Sequence, residues 1–322
     1  MTRVQWGVLG CSSFARGVAL PALSAARGAR LHAVASRDAT RARELADRFS
    51  ARRAYGAYED LLADPGVDAV YIPLPNSLHA AWSVRAIEAG KHVLCEKPFA
   101  MTRSEAVRVA DAAARRGVQV MEAFMWRFHP QHDLALRRIR EGAIGAVRLV
   151  RAAFTFTIAR ERNIRLAPSL GGGSLLDIGC YPVSAARFYL GAEPVRAYAR
   201  AVFDPEYRVD MAVAGVLEFP EGDGLFDCGF RLPYRADLEV CGESGVIQIP
   251  AAWLPPEQAH IVVNGDTHGF GACNQYVQEF EHFSRCVRNE EPARFGIEDA
   301  VLQARAMDAV RRSAETGQPE PV

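Results

Sequence analysis

The chain has 322 residues, more than one ordinary hydrophobic core accommodates, so we expect two domains. Its 38 Lys and Arg residues balance 38 Asp and Glu residues, and no basic stripe alternates with aromatic residues, so nothing indicates a nucleic-acid partner. No apolar run approaches the roughly 18 residues that a membrane helix needs.

Targeting and metal signals are weak. The first residues lead straight into a predicted strand rather than into a signal peptide. The seven cysteines show no CxxC spacing, which favours reduced thiols in a cytoplasmic protein. His129 and His132 are the nearest approach to a metal pair, but further ligands at a useful spacing are missing, so we expect no metal.

The N-terminal stretch has the order of a dinucleotide-binding motif. A strand predicted at 4–9 runs into Gly10, and a helix is predicted from about 15 to 26. A strand, a small-residue turn and a helix form the context in which backbone N–H groups cradle a pyrophosphate. Ser12 and Ala15 replace the second and third glycines of the motif, so a simple small-residue turn remains the alternative.

The end of the next strand, predicted at 31–36, bears on the choice of cofactor. An acidic residue at this point selects NAD, whereas arginine accommodates the 2′-phosphate of NADP. Ser36 and Arg37 offer a hydroxyl and a guanidinium, which favours NADP(H) over NAD(H). Asp38 is expected to cap the helix at 39–49, but it could also be the ribose-binding acid displaced along the chain.

Strands and helices continue to alternate up to Glu122, with strands at 68–72, 93–95 and 118–121. This alternation predicts an α/β Rossmann domain with a doubly wound parallel sheet over residues 1–123. Lys97 follows the strand at 93–95 directly. It should therefore lie at the mouth of the sheet, where such folds bind ligands.

Several motifs in order carry a family resemblance. They are Val8–Cys11, Asp68–Pro73, Asn76–His79, Gly90–Pro98 and Gly171–Pro182. The chain resembles the Gfo/Idh/MocA oxidoreductases along essentially its whole length, most closely the branch with dimeric dihydrodiol dehydrogenase, NADP xylose dehydrogenase and sugar ketoreductases. The resemblance implies cofactor contacts by the following residues: Gly10, Ser12, Ser13, Phe14, Ser36, Arg37, Leu74, Asn76, His79, Glu96 and Lys97. For His79, a plain position at a helix start is the alternative.

Beyond residue 130, strands follow strands. Runs at 147–157, 195–202, 212–219, 224–232, 237–240, 246–249 and 260–263 predict an α+β domain over 124–322 with a large, mostly antiparallel open sheet. One face of that sheet needs a cover, and the resemblance implies that a second subunit supplies it in a homodimer or higher homo-oligomer. A C-terminal helix at about 300–316 should pack back on the body, with the first domain as one candidate surface.

Three residues form a candidate proton-handling set. Asp177 and Tyr181 are four apart on a helix predicted at 174–189, so they share a face. A lysine ammonium such as Lys97 favours the phenolate of a nearby tyrosine. We therefore expect Lys97 and Tyr181 to converge, with Tyr181 as the acid/base and Asp177 binding a substrate hydroxyl. The family resemblance implies similar roles. A capping aspartate and an amphipathic tyrosine are the alternative.

The substrate is expected to be a small polyol or keto sugar. Trp126, Arg127, Phe154 and Trp253 are candidate pocket residues, although each is equally consistent with core packing. The predicted function is an NADP-dependent oxidoreductase for a secondary alcohol or ketone of a sugar, cyclitol or dihydrodiol. The alternative is a non-catalytic NADP-binding regulator with the same fold.

Overall fold

The computed structural model describes residues 3–159 and 163–322, which form two compact units. The first unit extends to Phe128 and takes in Asn274–Val301. The second consists of His129–Cys273 and Leu302–Val322. The sequence analysis predicted a boundary at 123/124 and assigned all later residues to the second domain. In the structure, Asn274–Val301 belong to the first unit instead.

The strands and helices alternate in the first unit and separate in the second. In chain order the strands are β1 Val4–Leu9, β2 Ala29–Ala35, β3 Arg53–Tyr55, β4 Ala69–Ile72, β5 His92–Glu96, β6 Val120–Ala123, β7 Val147–Thr155, β8 Arg196–Phe203, β9 Asp210–Phe219, β10 Gly222–Gly229, β11 Leu238–Gly242, β12 Val246–Ile249, β13 His260–Val263, β14 Asp266–Gly269 and β15 Glu320–Pro321. The α-helices are α1 Leu20–Ala25, α2 Ala39–Arg48, α3 Tyr58–Leu62, α4 His79–Glu88, α5 Arg103–Arg116, α6 Pro130–Arg140, α7 Cys180–Leu190, α8 Gln275–Val287 and α9 Ile297–Thr316.

The sheet of the first unit has the order β3-β2-β1-β4-β5-β6, and its strands pair in parallel. Strands β1, β4 and β5 are almost wholly buried and apolar, as expected of strands covered on both faces. Helix α5 begins where the Thr102 side chain accepts the Glu105 N–H and ends at Gly117 in the left-handed conformation. The predicted doubly wound parallel sheet is confirmed.

Helix α8 completes the core of the first unit from a distant part of the chain. Trp6 on β1 packs edge-on against Phe280, with ring centroids 5.2 Å apart, and its Nε1–H donates to Ser284 Oγ at 3.2 Å. Phe283 lies 5.7 Å from the same ring. Burial of these aromatic rings accounts for the return of the segment, because large aromatic side chains dominate core energetics.

The second unit contains a sheet of order β14-β13-β12-β11-β7-β10-β9-β8-β15. Neighbouring strands are antiparallel except for β10 and β7, which pair in parallel. Helix α7 packs on β7 and β10. On β8, Ala197 and Ala199 are fully buried, whereas Tyr198 and Val202 on the opposite face are exposed. The predicted large, mostly antiparallel sheet is confirmed.

Helix α9 begins three residues earlier than predicted and buries Ala306 and Val310 on one face. The boundary between the units falls within this helix, at Val301, so most of it belongs to the second unit.

Among the described residues, we find no helix with both the length and the apolar character required to span a membrane.

Candidate active site

The turn after β1 has the geometry of a cofactor-binding loop. Gly10 adopts a φ of 109°, and its N–H donates to Ala35 O on β2 at 2.8 Å. Ser12 Oγ accepts the Ala15 N–H at 3.0 Å and so starts the π-helical turn Ala15–Ala19 that leads into α1. The Phe14 ring packs against Tyr276, with centroids 5.9 Å apart. The motif predicted from sequence is therefore a strand–turn–helix unit.

The polar residues at the end of β2 have different hydrogen-bond partners. Asp38 Oδ1 accepts the N–H groups of Thr40 and Arg41, at 3.0 and 3.2 Å, and so caps helix α2. Ser36 is buried and accepts the Asp38 N–H, whereas Arg37 is exposed. Capping gives Asp38 a structural role. Ser36 and Arg37 are then the polar pair at this strand end, which is called the ribose corner below.

Arginines that the sequence did not single out surround the same corner. A cavity of about 300 Å³ is lined by Cys11, Ser13, Arg16, Gly17, Arg41 and Arg48. Arg41 Nη2 donates to Cys11 O at 2.9 Å, so its guanidinium is held against the turn after β1. Arginines beside the Gly10 turn match the charge of a dinucleotide phosphate.

Two buried side chains hold the turn after β5, where the Lys97–Pro98 peptide is cis. Glu122 Oε1, at the end of β6, accepts the Phe99 N–H at 2.8 Å. His79 Nδ1 lies 2.7 Å from Pro98 O, and its Nε2 lies 2.8 Å from Leu74 O. Lys97 is thus fixed at the carboxyl end of β5, at the edge of the sheet where the sequence placed it.

His79 serves as a link between loops. Burial lowers the pKa of His79 to about 4, and the positive charge of Lys97 acts in the same direction. The neutral ring carries one N–H, which donates to one of its two carbonyl neighbours. The side chain is 1% exposed, so the structure places it behind the loops rather than at their surface.

Glu96, immediately before Lys97, belongs to a buried acidic group. The Tyr71 hydroxyl on β4 donates to Glu96 Oε1. Burial, together with the Glu96 carboxylate, raises the pKa of Glu279 on α8 well above its usual range. Glu96 therefore lies in the interior of the first unit, immediately before Lys97.

In the second unit, the glycine run before α7 is locked by its neighbours. Gly173 has a φ of 110°, and a side chain there would collide with Asp210 Oδ1. Asp210 Oδ2 accepts the Ser174 hydroxyl at 2.7 Å and the Leu175 N–H at 2.6 Å. Burial raises the pKa of Asp210. This carboxyl group fixes the start of the π-helical segment Leu175–Gly179 that precedes α7.

Asp177 and Tyr181 follow on consecutive turns. Arg165 Nε donates to Asp177 Oδ2 at 2.5 Å. Tyr181 is buried against Phe154, with centroids 5.1 Å apart at 89°, and against Trp253 at 5.7 Å. Asp177 is therefore paired with a charged side chain, and Tyr181, one turn later, is packed between aromatic side chains.

All four candidate pocket residues pack against aromatic side chains of their own unit. Trp253 Nε1–H donates to Ala153 O at 2.8 Å, and both Trp253 and Phe154 pack around Tyr181. Arg127 is 2% exposed and pairs with Asp299 at 2.5 Å, with its guanidinium 4.6 Å from the Phe295 ring centroid. Trp126 is fully buried. For Arg127 the contacts favour packing within the first unit.

Groups of metal-ligand type are engaged in hydrogen bonds. His132 Nδ1 lies 2.7 Å from the Tyr189 hydroxyl and its Nε2 lies 2.9 Å from Ala252 O. His282, Cys286 and Glu291 bring ligand-type atoms within 4.8 Å of one another. However, His282 Nε2 already accepts the Arg294 N–H at 3.0 Å, and its Nδ1 lies 2.5 Å from Glu291 Oε1. Hydrogen bonding therefore accounts for the geometry of both groups.

The sequence reasoning missed Arg41, Arg165 and Asp210. Arg41 carried a weak signal, since it follows the ribose corner by one helical turn. Arg165 and Asp210 carried none, because their partners lie 12 and 35 or more positions away along the chain.

Both parts of the sequence match models of one oxidoreductase family. Residues 4–124 match the Gfo/Idh/MocA oxidoreductase family with an NAD-binding Rossmann fold, and residues 132–248 match the Gfo/Idh/MocA C-terminal domain. An uncharacterised oxidoreductase of Rhizobium meliloti is 37% identical over the full length of both chains. D-xylose 1-dehydrogenase (NADP(+)) 2 of Haloferax volcanii is 38% identical over 98% of each chain.

The fold also matches solved structures. A 3-ketoreductase from Actinomadura kijaniata, solved in complex with NADP and TDP-benzene, superposes with a TM-score of 0.91. It is 34% identical, and the match covers 97% of this chain and 98% of the other.

Proposed function

Because the chain belongs to the Gfo/Idh/MocA oxidoreductase family, we propose that it is an NADP-dependent enzyme acting on a secondary alcohol or ketone of a sugar, cyclitol or dihydrodiol. The arrangement of Asp177 and Tyr181 on consecutive turns, one beside Arg165 and the other inside an aromatic group, carries this proposal. When bound, NADPH supplies the hydride.

In the proposed mechanism, the residues of the chain manage the proton and the substrate. Tyr181 Oη donates a proton to the alkoxide oxygen during reduction and accepts it during oxidation. The Lys97 ammonium favours the phenolate form and holds the nicotinamide ribose. Asp177 accepts a hydrogen bond from the hydroxyl next to the reacting carbon, which orients the substrate.

The ribose corner supports the preference for NADP. Ser36 and the exposed Arg37 offer donors to the 2′-phosphate, while Asp38 is occupied in capping α2. The arginine-lined cavity beside the turn adds positive charge. The relatives agree in cofactor, since the Haloferax enzyme is named as NADP-dependent and the Actinomadura structure contains NADP.

A substrate panel tests the proposal. The panel consists of D-xylose, myo-inositol and trans-1,2-dihydrobenzene-1,2-diol with NADP⁺, and dTDP-3,4-didehydro-2,6-dideoxy-α-D-glucose with NADPH. We expect turnover of at least one compound, at a higher kcat/KM with the phosphorylated cofactor than with NAD(H). NADPH binding without turnover of any compound would favour the regulatory alternative.

We also propose that a homodimer or higher homo-oligomer forms through the outer face of the second unit's sheet. Tyr198 and Val202 are 41% and 63% exposed on the same face of β8, which favours a covering surface. Light scattering at micromolar concentration should give at least twice the chain mass of 35.2 kDa. Substitution of both residues by Lys should shift the protein towards monomer, and a wild-type monomer would contradict the proposal.

A further inference from the structure

We propose that Arg165 is a positioning residue that fixes the Asp177 carboxylate as the acceptor for the substrate hydroxyl. The inference rests on the proposed function, because it assigns a role to Arg165 through the substrate contact of Asp177. Its basis is the Nε–H of Arg165, which donates to Asp177 Oδ2 at 2.5 Å in a region where Asp177 is 14% exposed.

Hydrogen bonds hold the backbone of Arg165 in place independently of its side chain. Its N–H donates to Asn163 Oδ1 at 3.1 Å, which opens the 3₁₀ turn Ile164–Leu166. Its carbonyl accepts the Gly173 N–H at 2.9 Å, so the turn is bonded to the glycine run that precedes Asp177. A side chain at Gly172 would collide with this same carbonyl. The glycine run and the arginine turn are therefore one preformed unit.

This preorganisation distinguishes the pair from an ordinary surface ion pair. Exposed pairs gain little, because two long side chains lose freedom when they meet. Here the backbone on both sides is already fixed, so only the side-chain torsions of Arg165 and Asp177 remain to be ordered. Its guanidinium carbon also lies 6.0 Å from the Phe156 ring centroid, which restricts those torsions further.

The pair also favours one chemical role for Asp177. A guanidinium donates and cannot accept a hydrogen bond, so its bond to Oδ2 stabilises the ionised carboxylate. A carboxylate has about four lone-pair sites and can accept from a substrate hydroxyl while it accepts from Arg165. Asp177 then orients the substrate, and proton transfer is left to Tyr181.

The test compares Arg165→Ala, Arg165→Lys, Asp177→Asn and the double variant Arg165→Ala/Asp177→Asn. The substrate is the compound of the panel above with the highest wild-type kcat/KM. Arg138→Ala is the matched control, because Arg138 is 38% exposed against 41% for Arg165 and pairs with Glu141 on the surface of the same unit. NADPH affinity, measured by fluorescence, shows that the cofactor-binding unit is folded, and circular dichroism shows that each whole variant is folded.

We expect Arg165→Ala to lower kcat/KM by about tenfold to hundredfold, mostly through KM, because charge-assisted positioning is lost. Arg165→Lys should recover part of the loss, and added guanidinium ion should partly rescue Arg165→Ala but not Asp177→Asn. NADPH affinity should stay within about twofold in all variants, and Arg138→Ala should match the wild type.

Two comparisons separate positioning from a structural effect. The double variant should be no worse than Asp177→Asn alone, because both changes remove the same function. A substrate analogue without the hydroxyl next to the reacting carbon should be much less sensitive to Arg165→Ala. Multiplicative losses in the double variant, or equal losses for substrate and analogue, would overturn the positioning role.

The two proposals fail in different ways. If the wild type turns over no compound in the panel, the proposed function fails and this inference fails with it. If the wild type is active and Asp177→Asn lowers kcat/KM while Arg165→Ala does not, only the role of Arg165 is overturned.

Discussion

Around Lys97, in the first unit, the chain is anchored by side chains that are almost completely buried. His79 and Glu122 are 1% and 4% exposed, and they bond backbone groups of the turn at neighbouring strand ends. Around Asp177, in the second unit, one anchor is the half-buried Asp210, and the other is Arg165, which is 41% exposed. The first turn is held from inside a core, the second partly from the surface.

The difference has consequences for how each turn responds to its surroundings. Interactions of exposed charges are screened by salt, whereas buried hydrogen bonds are screened much less. The geometry of the Asp177 turn should therefore depend on ionic strength, and that of the Lys97 turn on the protonation of buried groups. Substitutions of Lys97, Tyr181, Asp210, His79 and Arg37 test the roles assigned to the two turns and to the ribose corner.

The largest loss is expected from Lys97→Ala, which removes the functional group that the first turn presents. In the proposed mechanism the Lys97 ammonium favours the Tyr181 phenolate, so the change should lower kcat by at least about 10²–10⁴-fold. It should also weaken NADPH binding, because the proposed mechanism gives Lys97 the contact with the nicotinamide ribose. Steady-state kinetics and NADPH fluorescence measure the two effects. Unchanged NADPH affinity would remove Lys97 from the ribose.

Tyr181→Phe should lower kcat without weakening NADPH binding, whereas Lys97→Ala should affect both. The ring keeps its contacts with Phe154 and Trp253, so the fold should be retained. Loss of the general acid should lower kcat by about 10²–10⁴-fold, while NADPH affinity stays nearly intact. Near-full activity on the true substrate would show that the proton donor is another group, such as a water held by Lys97.

The sequence predicted the Lys97 turn better than the Asp177 turn, for a physical reason. Lys97 ends a buried apolar strand, and the ends of parallel strands meet at one edge, so its position follows from local pattern. Asp177 and Tyr181 were identified by their motif, but Arg165 and Asp210 were not. Their partners depend on the glycine run folding against a loop and on the start of β9, which periodicity does not encode.

Contacts between residues far apart in the sequence, and very short strands, also explain why some helices and strands were not predicted. Helix α8 belongs to the first unit because Phe280 and Phe283 pack around Trp6, more than 270 positions earlier. The sequence analysis did not predict this helix and assigned its residues to the second domain. The short strands β3, β14 and β15 were missed because runs of two to four residues carry little periodic signal.

Asp210→Ala should show how much the turn around Asp177 depends on the carboxylate that accepts hydrogen bonds from the buried Ser174 and Leu175. The change removes the acceptor for the Ser174 hydroxyl and the Leu175 N–H. Since buried donors without an acceptor are costly, the free energy of unfolding should fall by about 2–3 kcal/mol. Urea unfolding measures this loss. Asp210→Asn, which keeps one acceptor oxygen, is the control and should lose less.

The first turn should instead be sensitive to acid through His79. Its pKa of about 4 in the folded protein lies below the ordinary 6.5, so the unfolded chain binds the proton more tightly. Stability from this group is complete above about pH 7 and falls as the pH drops from 6.5 towards 4, reaching a loss of about 2 kcal/mol at pH 5. His79→Asn should remove this increment from the pH dependence of urea unfolding. An unchanged pH dependence in His79→Asn would contradict the value.

The smallest effect is expected at the ribose corner, where the exposed Arg37 is proposed to bind the 2′-phosphate. Arg37→Ala should weaken NADPH binding by about tenfold, because one charge-assisted contact to the 2′-phosphate is lost at the protein surface. NADH affinity should barely change, since NADH lacks that phosphate. Because the contact is exposed, the loss for NADPH should shrink at high salt, unlike the effect of Lys97→Ala. Fluorescence titrations with both cofactors at low and high ionic strength measure these affinities.

Equal weakening of NADPH and NADH binding would place Arg37 outside the phosphate site. The arginines that line the neighbouring cavity, Arg41 first, would then be the residues to substitute.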